Sequence, residues 1–182
     1  IERSFQTNPG GRAAEAWRRE IGAKASRLRE RLAEEPDAGA LSAAHRILLR
    51  EMRVLDPAAG DPVPWDVLTP SEALRRGRGA PYASGLAVAT ILGRAGIRFE
   101  ILVHPEYLLL RGGGVCARAH DGEPGAPGAA ARALGYRDEE EAEAAGLLTP
   151  VSSAETLAWD AVHASRRLVL RRAGARCEYC GL

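Results

Sequence analysis

The sequence predicts an α+β fold built around one main core, and three observations predict it. Across residues 12–35 apolar side chains recur every three or four positions, as a single helical stripe requires. From residue 82 to 95 almost every residue is apolar or small, the pattern of a helix with no solvent face. Residues 99–103, 107–111 and 115–119 are then short apolar runs separated by His104-Pro105-Glu106 and Gly112-Gly113-Gly114, which reads as a strand meander. The expected architecture is a small antiparallel sheet packed on a buried central helix, with further helices on its N-terminal side.

Each element has its own signal. Residues 1–10 hold Asn8-Pro9-Gly10 and no periodicity, so they read as a disordered lead-in. The first helical stripe is Trp17, Ile21, Ala25, Leu28 and Leu32. Its other side mixes Arg18, Arg19, Lys24 and Arg27 with Glu20, Glu30 and Glu34, which describes a solvated surface rather than a nucleic-acid face. Pro36-Asp37 ends that helix. A second spans residues 41–55, with Ala44, Leu48, Met52 and Leu55 inward and His45 as a surface or boundary residue. Residues 56–64, rich in Pro, Gly and Asp, read as a loop. Thr69-Pro70-Ser71-Glu72 supplies a capping hydroxyl, a proline at the first helical position and a glutamate three residues after the cap, starting a short helix to Arg76. Beyond the meander, residues 121–129 read as a surface loop. Residues 129–146 read as one or two alanine-rich helices, with 138–141 as a solvated acidic turn. Ser152 and Glu155 form a second capping pair for a closing helix with Leu157, Ala161, Val162, Leu168 and Val169 inward and Gly174 at its C-cap. The chain thus divides into a lead-in at 1–10, a helical region at 11–56, the core at 57–150, the closing helix at 151–175 and a tail at 176–182.

Composition narrows the functional classes. A chain of 182 residues, 46% hydrophobic and 27% charged, fits one domain or a domain with a small appendage. Twenty-five basic residues against twenty-four acidic ones supply no electrostatic reason for a polyanion partner, so nucleic acid is not expected. Apolar runs such as Ile101-Leu102-Val103 fall far short of the roughly 20 residues that cross a membrane. Residues 1–12 lack the basic start, apolar stretch and cleavage site of a secretory signal, which makes a cytoplasmic address the expectation. Three cysteines do not form a disulfide framework for a chain this long.

A Gly-x-Pro turn, a buried helix and a strand meander, in that order, resemble the transglutaminase-like, broadly papain-like, fold. The similarity becomes specific over Arg75-Arg76-Gly77-Arg78-Gly79-Ala80-Pro81, over Gly93-Arg94-Ala95-Gly96-Ile97, and over Ile101-Leu102-Val103-His104-Pro105-Glu106-Tyr107-Leu108-Leu109-Leu110-Arg111. There the chain looks like the Sir-B type of transglutaminase-like protein, a bacterial family whose core is followed by helices of tetratricopeptide type. The segment from Leu147 to Val151 and the helix after it resemble the start of those helices. The likeness spans roughly residues 45 to 174.

Carried across residue by residue, the resemblance implies a lost triad. The family's Ser or Cys two residues beyond the turn proline falls on Ala83. Its Pro-Gly-His segment reads Pro105-Glu106-Tyr107, and its acidic residue falls near Arg118. A methyl group cannot attack a carbonyl and a phenol does not replace an imidazole base, so no catalytic residue is inherited. What the resemblance then implies is a catalytically degenerate module that binds a protein or peptide partner through the former cleft, lined by Tyr82, Ala83, Ser84, His104 and Tyr107. A rival reading is a hydrolase or acyltransferase using Ser84 or Cys116 with His104. Ser84 adjoins Ala83 at the helix N-terminus, where free amides favour an oxyanion. One position along a helix nevertheless turns a side chain by about 100°. Cys116, in an alternating strand, reads more simply as a small core residue.

The tail carries Cys177-Glu178-Tyr179-Cys180, two thiolates suited to one tetrahedral zinc ion. The stretch from Arg171 to Gly181 also resembles the opening zinc knuckle of His-Asn-His nucleases, without the second knuckle or the catalytic histidine. Cys116, His120 and His163 are the candidates to complete such a site. A zinc-containing fragment of a larger nuclease-like protein is therefore a third reading, whereas the leading one needs no cofactor. Thioredoxin-like chemistry is disfavoured because this Cys-x-x-Cys follows a helix instead of opening one.

Overall fold

The computed structural model describes residues 11–34, 40–55 and 69–152, together with Glu155, Thr156, Ala158 and Val162. The lead-in, the loop up to residue 68, most of the closing helix and the cysteine tail lie outside the described residues. In chain order the elements are α1 (Gly11–Ala33), α2 (Ala40–Arg46) continued by a π turn (Ile47–Glu51), α3 (Pro70–Arg76), α4 (Pro81–Arg94), β1 (Glu100–Val103), β2 (Leu108–Gly112), β3 (Val115–Arg118), α5 (Pro127–Ala133), α6 (Glu139–Ala144) and β4 (Pro150–Val151). The fold is α+β.

Local chemistry sets the boundaries. Thr69 Oγ1 accepts the Glu72 amide at 3.3 Å, Pro70 takes the first helical position, and Gly77 closes α3 in the left-handed region. Ile21, Ala25 and Leu28 of α1 are buried, with Trp17 and Leu32 packed at the edge of the same core. The second helix does not run on to Leu55 as an α-helix. Its ladder widens after Arg46, where the Met52 amide donates to the Ile47 carbonyl at 2.8 Å, and the wider turn buries three successive residues, Ile47, Leu48 and Leu49. Gly113 and Gly114, at φ 59° and 78°, form the two-residue hairpin turn between β2 and β3 that a side chain at either position would strain.

The sheet has the order β3-β2-β1-β4 with every pairing antiparallel. Helix α4 crosses one face, and α1 and α3 pack on α4 in turn, so that Tyr82–Ala89, Ile91 and Leu92 are all buried while Thr90, Gly93 and Arg94 stay exposed. Leu108 and Leu110 join the core on the α4 face. Leu102 and Leu109 point the other way, into a smaller core with Ala130, Ala131, Ala142 and Leu148. Three consecutive leucines in β2 are fully buried because successive side chains alternate between two covered faces. This second layer, supplied by α5 and α6, goes beyond the expected sheet on a single helix.

Four expectations need correcting. Residues 138–141 are not a solvated turn but the start of α6, with Asp138 Oδ1 accepting the Glu141 amide at 2.9 Å and glutamates filling the positive end of the helix. The loop at 121–129 already gives way to α5 at Pro127. Pro150 and Val151, read only as a lead into the closing helix, pair with Leu102 and Ile101 as an edge strand. Val162, read as inward, is 60% exposed, whereas Thr156 is buried. The capping pair before them does form: the Ser152 amide donates to Glu155 Oε2 at 2.7 Å, and the Glu155 amide donates to Ser152 Oγ at 3.2 Å. Among the described residues no helix is long and apolar enough to cross a membrane.

Candidate functional site

The N-terminus of α4 meets the β1–β2 turn, and all five residues of the expected cleft lie there. Gly79 reaches so close to α3 that a Cβ on it would stand 2.5 Å from Ala73 Cβ and 2.9 Å from Ser84 Oγ. The glycine of the Gly-x-Pro turn is therefore required by packing, and it locates the Ser84 hydroxyl on the α3 side of α4. Tyr82 and Gly85 face the other way, towards the sheet. The Tyr82 hydroxyl donates to the His104 carbonyl, and a Cβ on Gly85 would lie 3.2 Å from Ala119 Cβ and 3.6 Å from Leu108 Cβ. Tyr82, Ala83, Ser84 and His104 are all buried, and only Tyr107 is half-exposed.

His104 is held by its own turn. Its amide donates to the Tyr107 carbonyl at 3.1 Å, and its Nδ1 accepts the Glu106 amide at 3.1 Å. That bond assigns the proton of the neutral ring to Nε2, which is buried and meets no partner. Burial lowers the pKa of this imidazole to about 4. The Tyr107 ring stacks on it with centroids 4.0 Å apart and planes at 10°, and burial raises the phenol's pKa. The structure brings Tyr82, His104 and Tyr107 together, but among the described residues no hydroxyl stands within hydrogen-bond reach of the His104 ring. Ser84 turns to α3 instead. Cys116, opposite Arg111 on β3, packs at the edge of the core beneath α5 and α6, and burial raises its pKa so that the thiol stays protonated.

Beyond Tyr107 a second group of polar side chains gathers at the end of β3. Arg118 lies 5.8 Å above the Tyr107 ring and pairs with Asp121 at 2.6 Å. Asp121 also takes the Arg118 Nε and the Glu123 amide, each at 3.1 Å, and stands 3.3 Å from His120 Nε2. His120 is tilted against Tyr107 at 6.0 Å, and its Nδ1 is buried without a partner. Burial lowers its pKa, with Asp121 opposing and Arg118 adding to the shift.

His45 completes this group, contrary to the surface or boundary position read for it. It is 3% exposed and neither ring nitrogen makes a hydrogen bond. Burial brings its pKa down to about 4, against the smaller opposing pull of the Ala119 carbonyl and of Asp121. A signal for this burial was present, since His45 lies four residues after Leu41 and three before Leu48 on the inward stripe of α2. Asp121 carried no such signal. Next to His45, between α2 and the loop after β3, opens a cavity of about 440 Å³.

Among the described residues no group of three or more His, Cys, Asp and Glu side chains is arranged to hold a metal ion. Cys177, Cys180 and His163 lie outside those residues. Comparison with known protein families, with curated proteins and with solved structures finds no match for the chain.

Proposed function

We propose that the chain is a catalytically degenerate transglutaminase-like module that binds a protein or peptide partner. The observation that carries this reading is the arrangement at the start of α4. The Ser84 hydroxyl turns towards Gly79 and Ala73, Ala83 presents only a methyl group, and His104 Nε2 meets no hydroxyl. Acyl transfer needs a nucleophile and a base within hydrogen-bond reach of each other, and the rival pair of Ser84 with His104 lacks that contact. Cys116 offers a protonated thiol, a weak nucleophile. Tyr107, half-exposed at the rim and stacked on a rigid turn, is the aromatic group best suited to receive a partner.

Two measurements test the reading. Fluorophosphonate and iodoacetamide probes should leave Ser84 and Cys116 of the folded chain unlabelled; a stoichiometric adduct lost in Ser84→Ala or Cys116→Ala would establish the enzyme instead. Selection from a random peptide library should enrich a sequence whose affinity Tyr107→Ala weakens at least about tenfold. Enriched peptides that bind Tyr107→Ala unchanged would refute the use of this cleft.

A further inference from the structure

The turn between β1 and β2 is tied down in two separate ways. The His104 carbonyl accepts the Tyr82 hydroxyl of α4, and the His104 amide donates to the Tyr107 carbonyl at 3.1 Å. Neither bond involves the imidazole. The ring holds the turn independently, because the Glu106 amide donates to its Nδ1 at 3.1 Å. With that nitrogen accepting, the neutral ring carries its proton on Nε2, and the Nδ1 lone pair is the one place left for a second proton. A proton there would point at the Glu106 N–H, donor against donor, so protonation and this hydrogen bond exclude each other.

The charged ring has no resting place in its site. Nε2 is already buried without a partner, and protonation adds a second unpaired N–H beside it. Among the described residues no carboxylate offsets the burial. The turn itself brings Glu106, whose side chain is exposed, α4 brings the phenol of Tyr82, and the segment bonded to Val103 brings the apolar Leu148. The end of β3 sets Arg118 and His120 against Tyr107, with Asp121 already paired to both. Tyr107 lies nearly parallel over the imidazole at 4.0 Å and is itself half-exposed, so the ring reaches water by parting from the phenol. We propose that this turn is an acid-operated switch: a proton on His104 releases the Glu106 amide, turns the imidazole out to water and unstacks Tyr107, while the two backbone bonds keep the turn in place. Because Tyr107 is the residue assigned to the partner, the switch makes partner binding acid-sensitive. That consequence rests on the proposed function, and the switch itself does not.

Amide hydrogen exchange of the full chain, with no partner present and each rate divided by the intrinsic rate at its pH, tests this. The outward ring titrates at the ordinary 6.5 and the inward ring at about 4, so the outward population rises about twentyfold between about pH 7 and about pH 5. Protection of the Glu106 amide should fall by that factor. At both pH values it should stay below the protection of Leu110 in the interior strand β2, which opens only with the whole fold. In His104→Asn the side-chain oxygen can accept the amide two residues on but does not titrate, so protection of Glu106 should stay constant to within about twofold. Glu106 protection that is unchanged between the two pH values, or equal to that of Leu110, would overturn the proposal. So would a fall of wild-type size in His104→Asn. Should that variant not fold, the comparison of Glu106 with Leu110 in the wild-type chain decides the matter alone.

Discussion

Lowering the pH from about 7 to about 5 should destabilise the fold through its buried histidines. Burial holds the pKa of His45 at about 4 against the ordinary 6.5, and does the same to His104. An unfolded chain takes up a proton at the ordinary value, whereas the folded ring resists it until the lower one. The unfolded state therefore binds more protons throughout that window, and stability falls as pH drops through it, levelling off below about 4. At about pH 5 nearly every unfolded imidazole is charged but only about a tenth of the folded ones are, so each ring removes about 2 kcal/mol, and the two together about 4 kcal/mol. That is a large share of a typical stability of roughly 5–15 kcal/mol. His120, shifted the same way, adds to the loss. The carboxylates act elsewhere: Glu72, held at about 2 chiefly by its hydrogen bond to Arg75, loses its contribution only as pH falls below the ordinary 4.5. Urea unfolding at steps between about pH 7 and 5 measures the slope, and His45→Phe should remove about half of the two-ring effect. An unfolding free energy flat to within about 0.5 kcal/mol over that range, or a folded imidazole of His45 titrating near 6.5, would refute the reasoning.

Three further outcomes follow from the packing. Gly79→Ala pushes a methyl group against Ala73 and should cost about 1–3 kcal/mol, while Gly93→Ala, exposed on α4 and only 3.9 Å from Phe99 Cζ, should be neutral or stabilise by up to about 1 kcal/mol; thermal melts of the pair compare them directly. Tyr82→Phe removes the donor to the His104 carbonyl and should cost about 1–3 kcal/mol by urea unfolding. Thr69→Ala removes the cap of α3 and should cost about 1 kcal/mol, with faster amide exchange confined to the first turn, at Glu72 above all.

Short-range chemistry was the legible part of this fold. The cap at Thr69, the box at Ser152 and Glu155, the glycine turn of the hairpin and the stripe of α1 each involve residues within a few positions of one another, and the structure forms all of them. What escaped was set by partners distant in sequence. Pro150 and Val151 look like a helix lead-in until β1 offers an unpaired edge about fifty residues earlier. Leu108, Leu109 and Leu110 read as one apolar strand run, and nothing local says that α5 and α6 will cover the second face. The π turn likewise answers to the demand that Ile47, Leu48 and Leu49 all be buried, a demand made by α1 and by the loop at Gly122.

The site divides along the same line, for a physical reason. Gly79, Pro81 and the buried helix locate Tyr82, Ala83 and Ser84 from sequence, because a helix register follows from its start. That register alone turns Ser84 about 200° from Tyr82, and since Tyr82 faces His104, the serine must face α3. Any nucleophile directed at the β1–β2 turn would therefore have to stand on the Tyr82 face of α4 and displace the bond that now ties Tyr82 to the His104 carbonyl. The group of His45, His120 and Asp121 obeys no such register. Its members come from α2 and from the loop after β3, which meet at Gly122 and at Ala119, so its chemistry exists solely in the folded chain.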